Sequence, residues 1–316
     1  MVLVTEVFPE ERLAFAEGWL ETATGIGYVL GLPCAGLLYG GERGGTLAAF
    51  TVGAFLCLLF VVLVIAGSAC KETSQDEKTD QGVKNDYAAL SEAPKVGEEV
   101  DGKESDTKLG CVESLCLMRR LSGIALVIVL FGAFMGNVYA ALAVHNEHSY
   151  DLTAAQTGSL LLLIALSYVL LCPIIGQVCE GPILLSQRSF TVGLMLSVAA
   201  YALLAANGLL CQGFGLFVLG AGEALILIPA YPVLLNRAGG ADAGATGTVS
   251  AVLNTSYLVG ETAGPYLTLF LVKRYGFSHT MMFQALGMVL ASATALWVLL
   301  VGSSGRCKLR KDTSSR

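Results

Sequence analysis

Long apolar blocks separated by short polar breaks run along most of this chain. They cover about 14–40, 46–68, 120–144, 155–178, 189–206, 208–235, 246–272 and 279–302. Each approaches or exceeds the roughly 20 residues an α-helix needs to cross a bilayer. Strict alternation of apolar and polar positions is rare, which disfavours strands and a β-barrel. The pattern predicts an all-α polytopic membrane protein with eight transmembrane helices. The pair 189–206 and 208–235 is the least cleanly separated.

One stretch breaks the pattern. Residues 71–110 are polar and acidic, a composition that cannot bury enough apolar surface to hold a fold. The expected organisation is a leading helix pair (1–68), a disordered acidic loop (69–118), six further helices (119–303) and a basic tail (304–316). Within the loop, Tyr87-Ala-Ala-Leu90 matches the pattern of a tyrosine-based sorting signal, which also recurs by chance.

Composition strengthens the membrane reading. Apolar residues make up 54% of the 316 and charged residues 14%, against roughly a quarter charged in soluble domains. Lys and Arg set the orientation. Arg12, Arg119, Arg120, Arg188, Arg237 and the basic tail fall on one side, while Arg43, Lys273 and Arg274 fall on the other. Both termini and the acidic loop are therefore expected in the cytoplasm. The cysteines lie inside helices or on that reducing side, so no disulfide is expected. No P-loop, catalytic Ser/His/Asp set or helical HExxH is present, and neither an enzyme, a cofactor nor a nucleic-acid partner is indicated. His145, Glu147 and His148 have metal-ligand chemistry but fall in a short outer loop without further ligands.

The apolar segments contain carboxylates and no Lys or Arg at bilayer depth. Glu21 lies in the first, Glu223 in the sixth and Glu261 in the seventh; Glu17 precedes Glu21 by one turn, nearer the cytoplasmic edge. A buried acid costs about 2.5–3.5 kcal/mol on insertion scales. Without a cationic side chain it must meet water, bind something positive or take up a proton, because leaving water disfavours the charged form. All three suit a pathway for protons and organic cations. Asn254 and Tyr257 in the seventh segment could line a polar cavity, as could Asn137, Tyr139, Ser167, Tyr168 and Tyr266. Tyrosine faces suit cation–π contact with an amine.

An internal repeat adds to this. Gly27, Gly31 and Pro33 in the first segment match Gly260, Gly264 and Pro265 in the seventh, each ahead of a short outer loop and a final apolar helix. Glycine permits close helix approach and proline kinks the helix.

These residues also carry a family likeness. EVFPEERLAFAEGWLETATGIGYVLGLPCAGLLYG resembles the fifth helix of drug and amine antiporters of the major facilitator superfamily. Gly27, Gly31, Pro33 and Gly36 fit a variant of its antiporter motif, with Leu32 and Ala35 departing from it. LNTSYLVGETAGPYL is similar to the eleventh helix of the vesicular amine transporter family, above all its polyamine-transporting branch, through Gly260, Glu261, Gly264 and Pro265. The resemblance implies a fold of twelve helices in two bundles, of which this chain would hold helices five to twelve. It implies exchange of organic cations for protons by alternating access, in a vesicular, endolysosomal or plasma membrane. Asn254 stands where monoamine members carry an acid, which shifts the expected cation contacts to Glu261 and Glu223. With four helices of the family fold absent, the expectation is a transporter that is inactive in isolation, or a non-transporting isoform associating with a full-length relative.

Overall fold

The computed structural model describes residues 13–39, 51, 55, 58, 111–206, 208–239 and 243–313. Residues 1–40 and 109–316 form one compact unit and 41–108 a second; the helices below belong to the first. The apolar segment 46–68, save for residues 51, 55 and 58, lies outside the described residues, as do the acidic loop and its Tyr87–Leu90 motif.

Among the described residues seven long helices follow in order: α1 (Leu13–Tyr39), α2 (Cys111–Tyr150), α3 (Ala154–Cys179), α4 (Ile183–Ala205), α5 (Leu209–Ala238), α6 (Ala243–Tyr275) and α7 (Phe277–Thr313). No strand occurs among the described residues. Within α2 to α5 and α7, five stretches are long and apolar enough to span a bilayer. The expected segments 14–40 and 246–272 are also helical, as α1 and α6.

Local chemistry sets the breaks. Thr153 caps α3 reciprocally: its hydroxyl accepts from the Gln156 amide at 3.3 Å, and its own amide donates to Gln156 Oε1 at 2.9 Å. The α4–α5 pair, hard to separate in sequence, parts at Ala206–Gly208, where Gly208 takes φ 133°. Gly276, at φ 81°, is the single residue between α6 and α7, a conformation that favours glycine. Two expectations need correction. Segment 189–206 starts earlier, at Ile183, because Pro182 provides the extended residue ahead of the first turn. His145, Glu147 and His148 are helical, in the last turns of α2, and the connection to α3 is only 151–153.

The core sits among α2 to α7, filled by Phe131, Phe190, Tyr201, Tyr231 and the aliphatic residues around them, Leu161 and Ile164 of α3 included. Outward positions are just as apolar: Leu170, Ile174, Leu210, Phe214, Phe270 and Trp297 are exposed. Helices apolar all round fit a bilayer, where lipid tails cover the outer face.

Small residues decide which helices touch. A Cβ built on Gly264 would lie 2.5 Å from the Asn137 amide nitrogen and 2.6 Å from the Ala133 carbonyl oxygen, so α6 meets α2 backbone to backbone. Gly132 and Gly136 on α2 answer it, lying against the backbone of Tyr257 and Glu261. Across this crossing Thr268 donates to the Asn137 carbonyl at 3.1 Å. Along α1, Gly18 lies against the Cys172 carbonyl and Gly176 on α3, which brings the face of α1 that carries its acids onto the bundle.

A carboxylate cavity between the helices

Glu21, Thr24 and Tyr28 recur at three- and four-residue steps on α1, and so share one helical face. That face meets α3, where the Tyr168 hydroxyl donates a short hydrogen bond to Glu21 Oε2. On α5, Glu223 follows Gly220 and Gly222. Gly220 has no room for a side chain against Ile164 and Ser167 on α3, and Gly222 is equally tight against Ser197 on α4. The helix wedged between these neighbours holds Glu223 buried, and Tyr257 on α6 donates to its Oε1 at 2.7 Å.

These groups open into one cavity of about 190 Å3. Its polar wall consists of Glu21 and Glu223, the hydroxyls or rings of Tyr28, Tyr139, Tyr168 and Tyr257, and Thr24 and Asn254. Ile164, Ala165, Leu227, Leu253 and Leu258 complete it, and no Lys, Arg or His lines it among the described residues. Each acid thus has one neutral tyrosine donor and no basic residue in the cavity wall beside it. An arrangement of this kind suits a mobile cation or a proton, and the ring faces suit an ammonium group.

The structure brings together Glu21, Glu223, Asn254 and Tyr257 from the sequence-predicted set. Asn254 lines the cavity while its Nδ2 donates to the Ser250 carbonyl at 3.0 Å. Glu261 is half-buried and is not among the lining residues, but Tyr28 and Tyr139 of the cavity lie within its electrostatic reach. Its backbone rests on Gly136 at the α2–α6 crossing. Gly260, Gly264 and Pro265 belong to that crossing helix, with both glycines buried against α2. Gly27 and Gly31 behave differently: among the described residues nothing stands within 4 Å of where their Cβ atoms would be. Pro33 and Gly36 lie within α1. Tyr28 and Thr24 are cavity residues that the sequence pattern does not single out, although their register with Glu21 is visible in it. Among the described residues no group of His, Cys, Asp and Glu is arranged to hold a metal.

The fold and cavity define a multi-pass membrane protein whose helices enclose a carboxylate-lined space. The chain belongs to the Major Facilitator Superfamily, whose family model matches residues 1–265. It is similar to the mouse MFS-type transporter SLC18B1, at 26% identity over 325 residues, covering 99% of this chain and 63% of that protein. The human MFS-type transporter SLC18B1 is 25% identical over 311 residues, covering 95% of this chain and 58% of its own length. The chain therefore spans about three-fifths of the length of these relatives. The crystal structure of the human organic anion transporter MFSD10 (TETRAN) overlaps 56% of this chain and 41% of its own, with a TM-score of 0.49 and 19% identity.

Proposed function

We propose that the cavity is the organic-cation site of a secondary transporter that exchanges an amine or polyamine for protons by alternating access. The observation that carries this reading is the pairing of Glu21 with Tyr168 and of Glu223 with Tyr257 around one cavity without a basic residue in its described wall. Two carboxylates favour a cation with more than one amino group, and the four tyrosine rings favour its ammonium groups over an inorganic ion. Glu261, within reach of the cavity tyrosines, is a further acid for protons or cation. Similarity to the MFS-type transporters SLC18B1 supports transport as the activity. The protein works in a vesicular, endolysosomal or plasma membrane with both termini in the cytoplasm, and 1–68 and 119–303 contribute to opposite bundles of the superfamily fold.

Binding of labelled spermidine to the full chain in lipid nanodiscs tests the site without requiring turnover. Saturable binding that disappears in a Glu21→Gln/Glu223→Gln variant, with benzoate failing to compete, is the expected result. Unchanged binding in that variant, or equal binding of benzoate, refutes the reading.

A further inference from the structure

Glu17 is the acid that the cavity does not use. It lies one turn before Glu21 on the same face of α1, is only 5% exposed, and its Oε2 has no hydrogen-bond partner among the described residues. Tyr231 on α5 lies within electrostatic reach of Glu17, and the Tyr231 hydroxyl faces Thr246 on α6. The Tyr231 hydroxyl and Thr246 Oγ1 are themselves buried, and neither meets a partner at full hydrogen-bonding geometry among the described residues. Three helices thus place unsatisfied oxygens from Glu17, Tyr231 and Thr246 in one region. It lies between the cavity and the end of the bundle where α5 runs into α6.

Burying such atoms unpaired is costly, and an ionised carboxylate is the costliest of them. Among the described residues no basic side chain offsets Glu17; the amino-terminal ammonium acts in its favour, but less than burial and Glu21 act against its charge. Glu21 acts on it from its own helix with the same sign. α3, packed along α1, carries Tyr168 and the thiols of Cys172 and Cys179 but no base or carboxylate. From α5 and α6 come the hydroxyls of Tyr231 and Thr246. A proton on Glu17 removes the charge that burial and the neighbouring Glu21 both oppose.

We propose that Glu17 is a proton-binding station separate from the cavity, coupled to it through Glu21. The coupling rests on reading the cavity as a cation site. An ammonium group against Glu21 favours the ionised form of the neighbouring carboxyl, so arrival of the cation releases a proton from Glu17. That proton leaves toward the α5–α6 end while the cation stays among the tyrosines. Glu17 acts through Glu21 and does not touch the cation.

Infrared difference spectroscopy of the full chain in nanodiscs, between acid and alkaline buffer, reads carboxylic-acid protons directly. The expected spectrum contains a carboxylic-acid carbonyl band that persists in the Glu21→Gln/Glu223→Gln variant and is lost in Glu17→Gln. Glu17→Asp keeps a carboxyl and is expected to shift the band; this carries the same conclusion should Glu17→Gln fail to fold. A spectrum unaltered by either Glu17 substitution overturns the station. Adding spermidine to the wild-type chain at constant pH is expected to diminish the Glu17 band. If the band is present but spermidine leaves it unchanged, the coupling is overturned. Absence of labelled spermidine binding to the wild-type chain instead refutes the cavity reading and leaves the proton site standing.

Discussion

The Tyr257 hydroxyl donates to Glu223 Oε1 at 2.7 Å, joining α6 to α5 at the wall of the cavity. Tyr257 also sits one turn before Glu261 and rests its backbone against Gly132, so this hydrogen bond fixes Glu223 relative to the α2–α6 crossing. A hydrogen bond to a buried acid is worth about 1–3 kcal/mol, and removing one partner leaves the other unsatisfied. Tyr257→Phe and Glu223→Leu, each removing one side of this bond, should therefore be strongly non-additive. A double-mutant cycle on thermal unfolding of the purified chain should show a coupling of about 1–2 kcal/mol. Additive effects would mean that the pair does not hold the two helices together.

The cavity acids should separate from Glu261 in amine binding. Glu21 and Glu223 line the space, whereas Glu261 stands off it at a helix crossing. Glu21→Gln and Glu223→Gln are each expected to weaken spermidine binding at least about tenfold, a loss of about 1.4 kcal/mol. Glu261→Gln is expected to change it less than about threefold. Isothermal titration on the three variants checks the order. A larger loss in Glu261→Gln would place the cation nearer α2 than the cavity described here.

Much of this architecture is legible in the residues, and the limits have a physical cause. Apolar length marks the helices, and the Lys/Arg-free segments mark the acids within them. Which face of each helix turns inward is not legible, because Leu170 and Ile174 on the lipid side of α3 are as apolar as Ile164 and Ile175 on its inner side. Period therefore cannot distinguish the cavity wall from the bilayer contact. The exception is α1, where Glu21, Thr24 and Tyr28 form a polar stripe in an apolar helix. That stripe is readable, yet only its acid stands out, because a threonine and a tyrosine are ordinary residues in a membrane helix. The expected loop at HNEH fails for a related reason: polar residues in the last turns of a long helix look like a loop. The helix continues to Tyr150, with the His145 ring stacked 4.0 Å from that of Phe277.

The aromatic wall makes its own prediction. Tyr139 lines the cavity from α2 and takes part in neither of the two acid–tyrosine hydrogen bonds. If its ring face contributes cation–π attraction, Tyr139→Phe should leave spermidine affinity within about twofold. Tyr139→Leu should weaken it about fivefold, near 1 kcal/mol. Equal losses in the two variants would assign the contribution to the hydroxyl rather than to the ring.

The two halves of the glycine repeat should respond differently to the same methyl group. At Gly264 the added Cβ meets backbone atoms of Asn137 and Ala133, which cannot rotate away as a side chain can. Gly264→Ala must therefore separate α6 from α2, loosening the Thr268–Asn137 hydrogen bond and the seat of Tyr257 together. The expected cost is about 1–3 kcal/mol, read as a lower unfolding midpoint of the purified chain. No described residue stands within 4 Å of a Cβ at Gly31, so Gly31→Ala is expected to add no clash and to gain helix propensity of up to about 1 kcal/mol. A stable or slightly stabilised Gly31→Ala beside a destabilised Gly264→Ala would show that the same small-residue pattern has two uses, one as a closed helix crossing and one as an open face. Matching destabilisation at both positions would show that α1 packs through Gly31 as α6 does through Gly264, and the open face would have to be abandoned.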